Sequence, residues 1–203
     1  MVSDISTTAP TDCRTRPWCW LAIAGVMALT AILLRLEGRV WWCECGLVRV
    51  WISNVWTSHC SQHLFDPYSL THFSHGLIFC WLLGWLAPRW SLERQLVVAV
   101  VLAAGWEVLE NSPMIIDRYR TATMSLDYLG DSVVNALGDI VACIVGFFVA
   151  RWLGFTKSFG LFIAIELALL WFIRDNLTLC VLMLLWPIDA IRAWQMGAAP
   201  TVS

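Results

Sequence analysis

Charge is what this sequence has least of. Only 14% of its 203 residues are Asp, Glu, Lys or Arg and 59% are hydrophobic, whereas soluble domains run at about 25% charged and about 45–50% apolar. Basic runs are missing too. The 13 Lys and Arg against 15 Asp and Glu leave a net charge of -2, which excludes the electrostatic footprint of a nucleic-acid-binding protein. No CxxC pair occurs among the cysteines at 13, 19, 43, 45, 60, 80, 143 and 180, so the common zinc and redox spacings are absent. There is no internal repeat, and no low-complexity segment beyond a polar N-terminal tail. With a mean hydropathy of +0.69, what remains is one polytopic membrane domain rather than a soluble globule.

Crossing a hydrocarbon core of about 30 Å takes about 20 apolar residues. Runs of that kind predict spans at 18–36, 70–88, 96–116, 131–153 and 159–176, with a sixth at 177–194 shortened or bent at Pro187. The expected fold is therefore all-α, a polytopic transmembrane helix bundle of five or six spans over 18–196, between tails at 1–17 and 197–203. The first run lacks a signal-peptide cleavage site and reads as an uncleaved anchor. Arg14 and Arg16, Arg89 and Arg94, and Arg151 and Lys157 fall on one side, which the positive-inside bias makes cytoplasmic, together with the N-terminus. The other side receives the loop 37–69. There Leu47, Val48, Trp51, Ile52, Val55 and Trp56 recur at helical spacing and predict an interfacial helix over 46–58.

In the same loop Cys43 and Cys45 flank Glu44, with Cys60 downstream; an oxidising compartment would allow a disulfide there. His59 and His63 are four apart and His72 and His75 three apart, so each pair shares a helical face and can ligate a metal. His59 and His63 read first as interfacial polar side chains ahead of the Asp66–Pro67 turn. His72 and His75, which open a span, are the stronger candidates for a divalent metal.

Ionisable residues at membrane depth cost roughly 2.5–3.5 kcal/mol each on insertion scales, yet this chain has many. Glu107, Glu110 and Asn111 share a face of the third span by i, i+3, i+4 spacing, and Asp131, Asn135 and Asp139 form an i, i+4, i+8 stripe on the fourth. Arg174 closes the fifth. Because consecutive spans alternate in direction, His72, His75, Glu107, Glu110, Asp131, Asp139 and Arg174 all fall in one membrane half, under a loop carrying Arg118 and Arg120. Two readings stay open. The cluster is packing glue, a set of ion pairs and hydrogen bonds between helices, or it is a site for an anionic lipid or lipid-linked head group. In the second, Arg118, Arg120 and Arg174 with Asn111 and Asn135 bind the anion, and the carboxylates and histidines act as acid, base or metal ligands. A proton-relay or small-solute transport protein is the further alternative.

The strings SLTHFSHG from Ser69, WEVLENSPMIIDRYR from Trp106, SLDYLGDSVVNALGDI from Ser125 and IRDNLTL from Ile173 resemble a bacterial family of uncharacterised multi-pass membrane proteins of unknown function. That resemblance covers roughly residues 66–195 and implies a cell-membrane location without an activity. Asp131, Asn135 and Gly138, with His72 and Phe73, are also similar over a short stretch to VanZ-like membrane proteins. Here the sequence departs by carrying Asp139 and His75 as well.

Overall fold

The structure, a computed structural model, describes residues 16–125 and 127–197; most of both expected tails, with Cys13 and Arg14, lies outside them. Among the described residues the protein is all-helical. Its helices are α1 (Pro17–Leu36), α2 (Ser69–Leu86), α3 (Leu92–Glu110), α4 (Pro113–Ala122), α5 (Val133–Ile173), α6 (Leu177–Leu185) and α7 (Asp189–Met196).

Local chemistry sets most of these boundaries. Pro17 opens α1, and Ser91 caps α3 by accepting from the Arg94 N–H. The expected third span, 96–116, starts earlier and stops at Glu110, because Ser112 caps a new helix whose first residue is Pro113. The fourth and fifth expected spans are the two arms of α5, joined at Gly154 with φ 72° and ψ 171°, a backbone state that residues with a Cβ avoid. The chain reverses there. Both arms lie along α2: His72 and Gly76 face Asp139 and Cys143 of the first arm, while Trp81 meets Ser158 and Tyr68 meets Asp175 beyond the second. The stretch expected as a sixth span, 177–194, is two short helices broken around Pro187; nine residues of α6 reach only about 14 Å.

Two helices, Pro17–Leu36 and Val133–Ile173, are long and apolar enough to cross a membrane, with mean hydropathies of 2.1 and 2.2. The core runs between them, where Cys19 and Ile23 of α1, Leu83 of α2, Leu96, Ala99 and Val100 of α3, and Ile140, Cys143 and Phe147 of α5 pack together. Outward faces stay apolar, with Leu21, Trp152, Trp171 and Phe172 exposed.

The expected interfacial helix over 46–58 is not formed. That stretch is turns and an isolated bridge between Trp51 and Phe65, because its amides bond across the loop instead of along it: Ile52 donates to Phe65 and Phe65 to Val50, each at 3.0 Å. The loop also serves α5. The first amides of that helix have no partner within it, and Val133 and Val134 donate instead to the carbonyls of Val40 and Trp41 at 2.8 and 3.2 Å.

The approach of α2 to the first arm of α5 leaves no room for side chains at two glycines. A Cβ on Gly76 would meet the Cys143 carbonyl oxygen at 2.0 Å, and one on Gly146 the Phe73 oxygen at 2.0 Å, whereas Gly160 has nothing within 4 Å. Gly76→Ala and Gly146→Ala are each expected to lower stability by about 3 kcal/mol or more, and Gly160→Ala to raise it by up to about 1 kcal/mol, read as unfolding midpoints in detergent.

Candidate functional site

Two helices deliver acidic groups to a histidine on a third. The close contact of α2 with α5 sets His72 Nε2 4.0 Å from Asp139 Oδ2, and α3 brings Glu107 Oε1 to 3.0 Å from His72 Nδ1. That second contact lacks the alignment of a hydrogen bond: neither oxygen of Glu107, itself fully buried, has a hydrogen-bonding partner, and Oδ1 of Asp139 has none. Buried carboxylates in this condition are costly. Beside them Glu107, Glu110 and Asp131 also converge, and within each trio, this one and His72–Glu107–Asp139, ligand atoms lie within 4.8 Å of one another.

The neighbouring groups are tied down. Asp131 Oδ2 accepts from Asn111 Nδ2 at 2.7 Å, its own amide donates to Asn111 Oδ1 at 2.6 Å, and its Oδ1 accepts from the Tyr128 hydroxyl at 2.9 Å. Glu110 Oε1 accepts from Tyr119 at 2.8 Å while its Oε2 has no partner. Asn135 is buried with both amide atoms unpartnered. His75 lines the same cavity and packs edge-on against His72 and flat on Phe79; it joins neither carboxylate trio.

His72, Glu110, Asp131, Asp139 and Asp175 border one cavity of about 290 Å³, with Trp106, Leu177, Val181 and Leu184 among its apolar walls. No Lys or Arg is among the described residues that line it. Arg118, Arg120 and Arg174 donate to backbone carbonyls, Arg118 to Leu184 at 2.8 Å, Arg120 to Tyr128 at 2.6 Å and Arg174 to Trp194 at 2.9 Å. The crevice is thus acidic and apolar, and the three arginines expected to clamp an anion brace its walls.

Reading the sequence by span missed Asp66, Tyr68 and Asp175. Asp66 accepts from the amides of Ser61 and Tyr68 at 2.8 and 2.7 Å, and so ties the loop to the start of α2; burial raises its carboxyl above the usual range, against the pull of those amides. The Asp66–Pro67 turn was a visible signal. Asp175 accepts from Tyr68, Gln195 and its neighbour's amide, and the first of these spans 107 residues, a contact that no local pattern announces.

A family model described as "Protein of unknown function (DUF2585)" matches residues 34–197. Similar relatives include UPF0314 proteins of Sinorhizobium fredii, 46% identical over 89% of this chain and 92% of the relative, of Rhizobium meliloti, 45% over 92% and 95%, and of Sphingopyxis alaskensis, 45% over 88% and 95%. No solved structure matches the chain.

Two kinds of buried polar residue should respond oppositely to substitution. Asn111→Ala strips two bonds from Asp131 and is expected to cost about 1.5–3 kcal/mol. In metal-free buffer Glu107→Gln replaces an unpartnered buried carboxyl without breaking any protein hydrogen bond, and the unfolding midpoint should hold or rise.

Proposed function

The chain belongs to the DUF2585 family of uncharacterised bacterial proteins, and from its geometry we propose that the crevice binds a divalent cation and, through it, the anionic head group of a lipid or lipid-linked molecule. In this reading the protein is a multi-pass protein of the bacterial cytoplasmic membrane with five or six crossings and a cytoplasmic N-terminus, and the crevice opens toward the outer leaflet. The exposed Trp152, Trp171 and Phe172 on α5 support lipid contact, since so many large apolar side chains together are uncommon on a water-facing surface.

The observation that carries the proposal is the Glu107–His72–Asp139 trio, in which both Glu107 oxygens and Asp139 Oδ1 lack a hydrogen-bond donor. A separation of 3.0 Å between a nitrogen and an oxygen that are not hydrogen-bonded matches the edge of an octahedron with metal–ligand bonds of about 2.1 Å. A cation there meets the charge that the arginines leave unmet. Imidazole with carboxylates suits Mn²⁺ or Zn²⁺. Anionic ligands cannot enter an acidic pocket alone, so the metal does the work first assigned to Arg118, Arg120 and Arg174, while Asn135, buried outside the cavity lining, does not reach the ligand. The apolar walls fit an amphipathic molecule with its head group at the acidic floor.

Mn²⁺ binding to purified protein, followed by loss of the free-ion EPR signal and repeated in nanodiscs with and without phosphatidylglycerol, tests this. Glu107→Gln and Asp139→Asn are expected to keep the fold and weaken Mn²⁺ binding by about a hundredfold or more, beyond what outer-sphere changes usually cost, and to abolish enrichment of co-purifying anionic lipid. Folded parent protein that takes up no Mn²⁺ overturns the metal. Unchanged lipid content in the variants overturns the head-group assignment, and proton uptake without metal favours a relay.

A further inference from the structure

A second group of metal-ligating side chains stands in the loop between α1 and α2, away from the carboxylate trio and unlike it in chemistry. We propose that Cys43, Cys45, His59 and His63 form a closed tetrahedral zinc site that staples this loop over the crevice.

The loop backbone brings the two ligand pairs together. Cys43 donates its amide to the Gln62 carbonyl at 3.0 Å, and Gln62 donates to the His59 carbonyl at 3.2 Å, so a Cys-x-Cys segment faces a His-x3-His turn. Cys43 Sγ then lies 3.2 Å from His59 Nδ1, and Cys45 Sγ 3.7 Å from His63 Nε2. All four ligand atoms fall within 4.8 Å of one another. A tetrahedron with Zn–S bonds of about 2.3 Å and Zn–N bonds of about 2.0–2.1 Å has sulfur–nitrogen edges of roughly 3.6 Å. The two observed contacts bracket that value, and no pair of ligand atoms is more than 4.8 Å apart.

Ordinary packing does not account for the arrangement. Both thiols are free, and His63 is 1% exposed with no hydrogen-bond partner for Nδ1, although a buried imidazole normally has partners for its polar atoms. Two thiolates and two imidazoles are a complete structural zinc set with no position left for substrate. The same softness sets it apart from the carboxylate site, which suits harder ions.

The place of the loop gives the site its consequence. Ser61, two residues before His63, accepts from the Ser132 amide at 2.8 Å, and Gln62 Nε2 donates to the Gly130 carbonyl at 2.7 Å, on either side of Asp131. Residues 55–58 and 60–62 border the cavity. A metal bound by this loop therefore fixes the roof of the crevice and the approach to Asp131.

Full-length protein in detergent, reduced and stripped of metal, is titrated with Co²⁺ and then with Zn²⁺. The expected result is one Co²⁺ per chain that carries tetrahedral ligand-field bands and thiolate charge transfer, both erased by Zn²⁺, while any Co²⁺ in the carboxylate site adds no thiolate band. Cys45→Ser, at an exposed position, should lose the charge-transfer band and about a hundredfold or more in affinity, again more than a second-sphere change costs, while Glu107→Gln keeps the spectrum. Folded parent without thiolate charge transfer overturns the proposal, as does a spectrum that survives Cys45→Ser. So does recovery of Cys43 and Cys45 as a disulfide from protein purified with Zn²⁺ present. Because the decisive spectrum is that of the parent, a variant that fails to fold still leaves the proposal testable.

Discussion

The backbone contact between α2 and the first arm of α5 is the constraint from which the rest of the structure follows. Gly76 and Gly146 let carbonyl oxygens sit where a methyl group would be, and interhelical packing that close is what membrane helices use in place of a hydrophobic drive. His72 lies one turn from Gly76 and Asp139 one turn from Cys143, so the same contact that joins the helices presses an imidazole toward a carboxylate. Once α3 is docked on both through Leu96, Ala99 and Ala103, Glu107 has nowhere to point but at His72. The acidic centre is a consequence of packing before it is a matter of charge.

Burial then sorts the acidic residues into two kinds. Asp131 and Asp66 are fully engaged, each accepting from two or more donors, and act as parts of the scaffold. Glu107 and Asp139 carry oxygens that the protein leaves without donors. A fold gains nothing from burying such groups without partners, and the cation proposed for this site would supply the missing partner.

What the sequence made legible, and what it did not, divides along contact range. Apolar runs located the two most apolar long helices, and helical spacing placed Glu107 with Glu110, whereas Asp131 precedes the helix capped by Ser132 and reaches the cavity that Asp139 lines without sharing its helix. Those signals are local. The loop 37–68 misled because Leu47, Val48, Trp51 and Ile52 fit a helical period while the Ile52 amide bonds across the loop to the Phe65 carbonyl and Phe65 returns a bond to Val50. The arginines misled in another way: a guanidinium serves a backbone carbonyl as readily as an anion, and nothing around Arg118 or Arg120 tells the two apart. Cys43 with Cys45 and His59 with His63 looked unrelated because the turn that joins them is closed by Gln62 and Cys43 backbone atoms. The break at Ser112–Pro113 was visible as a helix start and was passed over in favour of hydropathy.

The end of α5 shows why an acidic residue in an apolar helix needs its partners known before it is given a role. A break between helices leaves carbonyl acceptors at the end of one and amide donors at the start of the next, and only three residues separate α5 from α6. Glu166 folds along its own helix to accept from the amides of Leu177 and Thr178, each at 3.0 Å, and from the Thr178 hydroxyl at 2.6 Å. Asn176 accepts from the Leu179 amide, and Gln195 of α7 donates to the Arg174 carbonyl and to Asp175. Arg174 takes the left-handed conformation that makes the turn, with φ 53°. By composition Glu166 and Glu107 are the same event, a glutamate set among apolar residues of a helix. By partners they are opposites: Glu166 is used up in closing a helix end, so the capacity to take a cation falls to the carboxylates whose oxygens the fold leaves open.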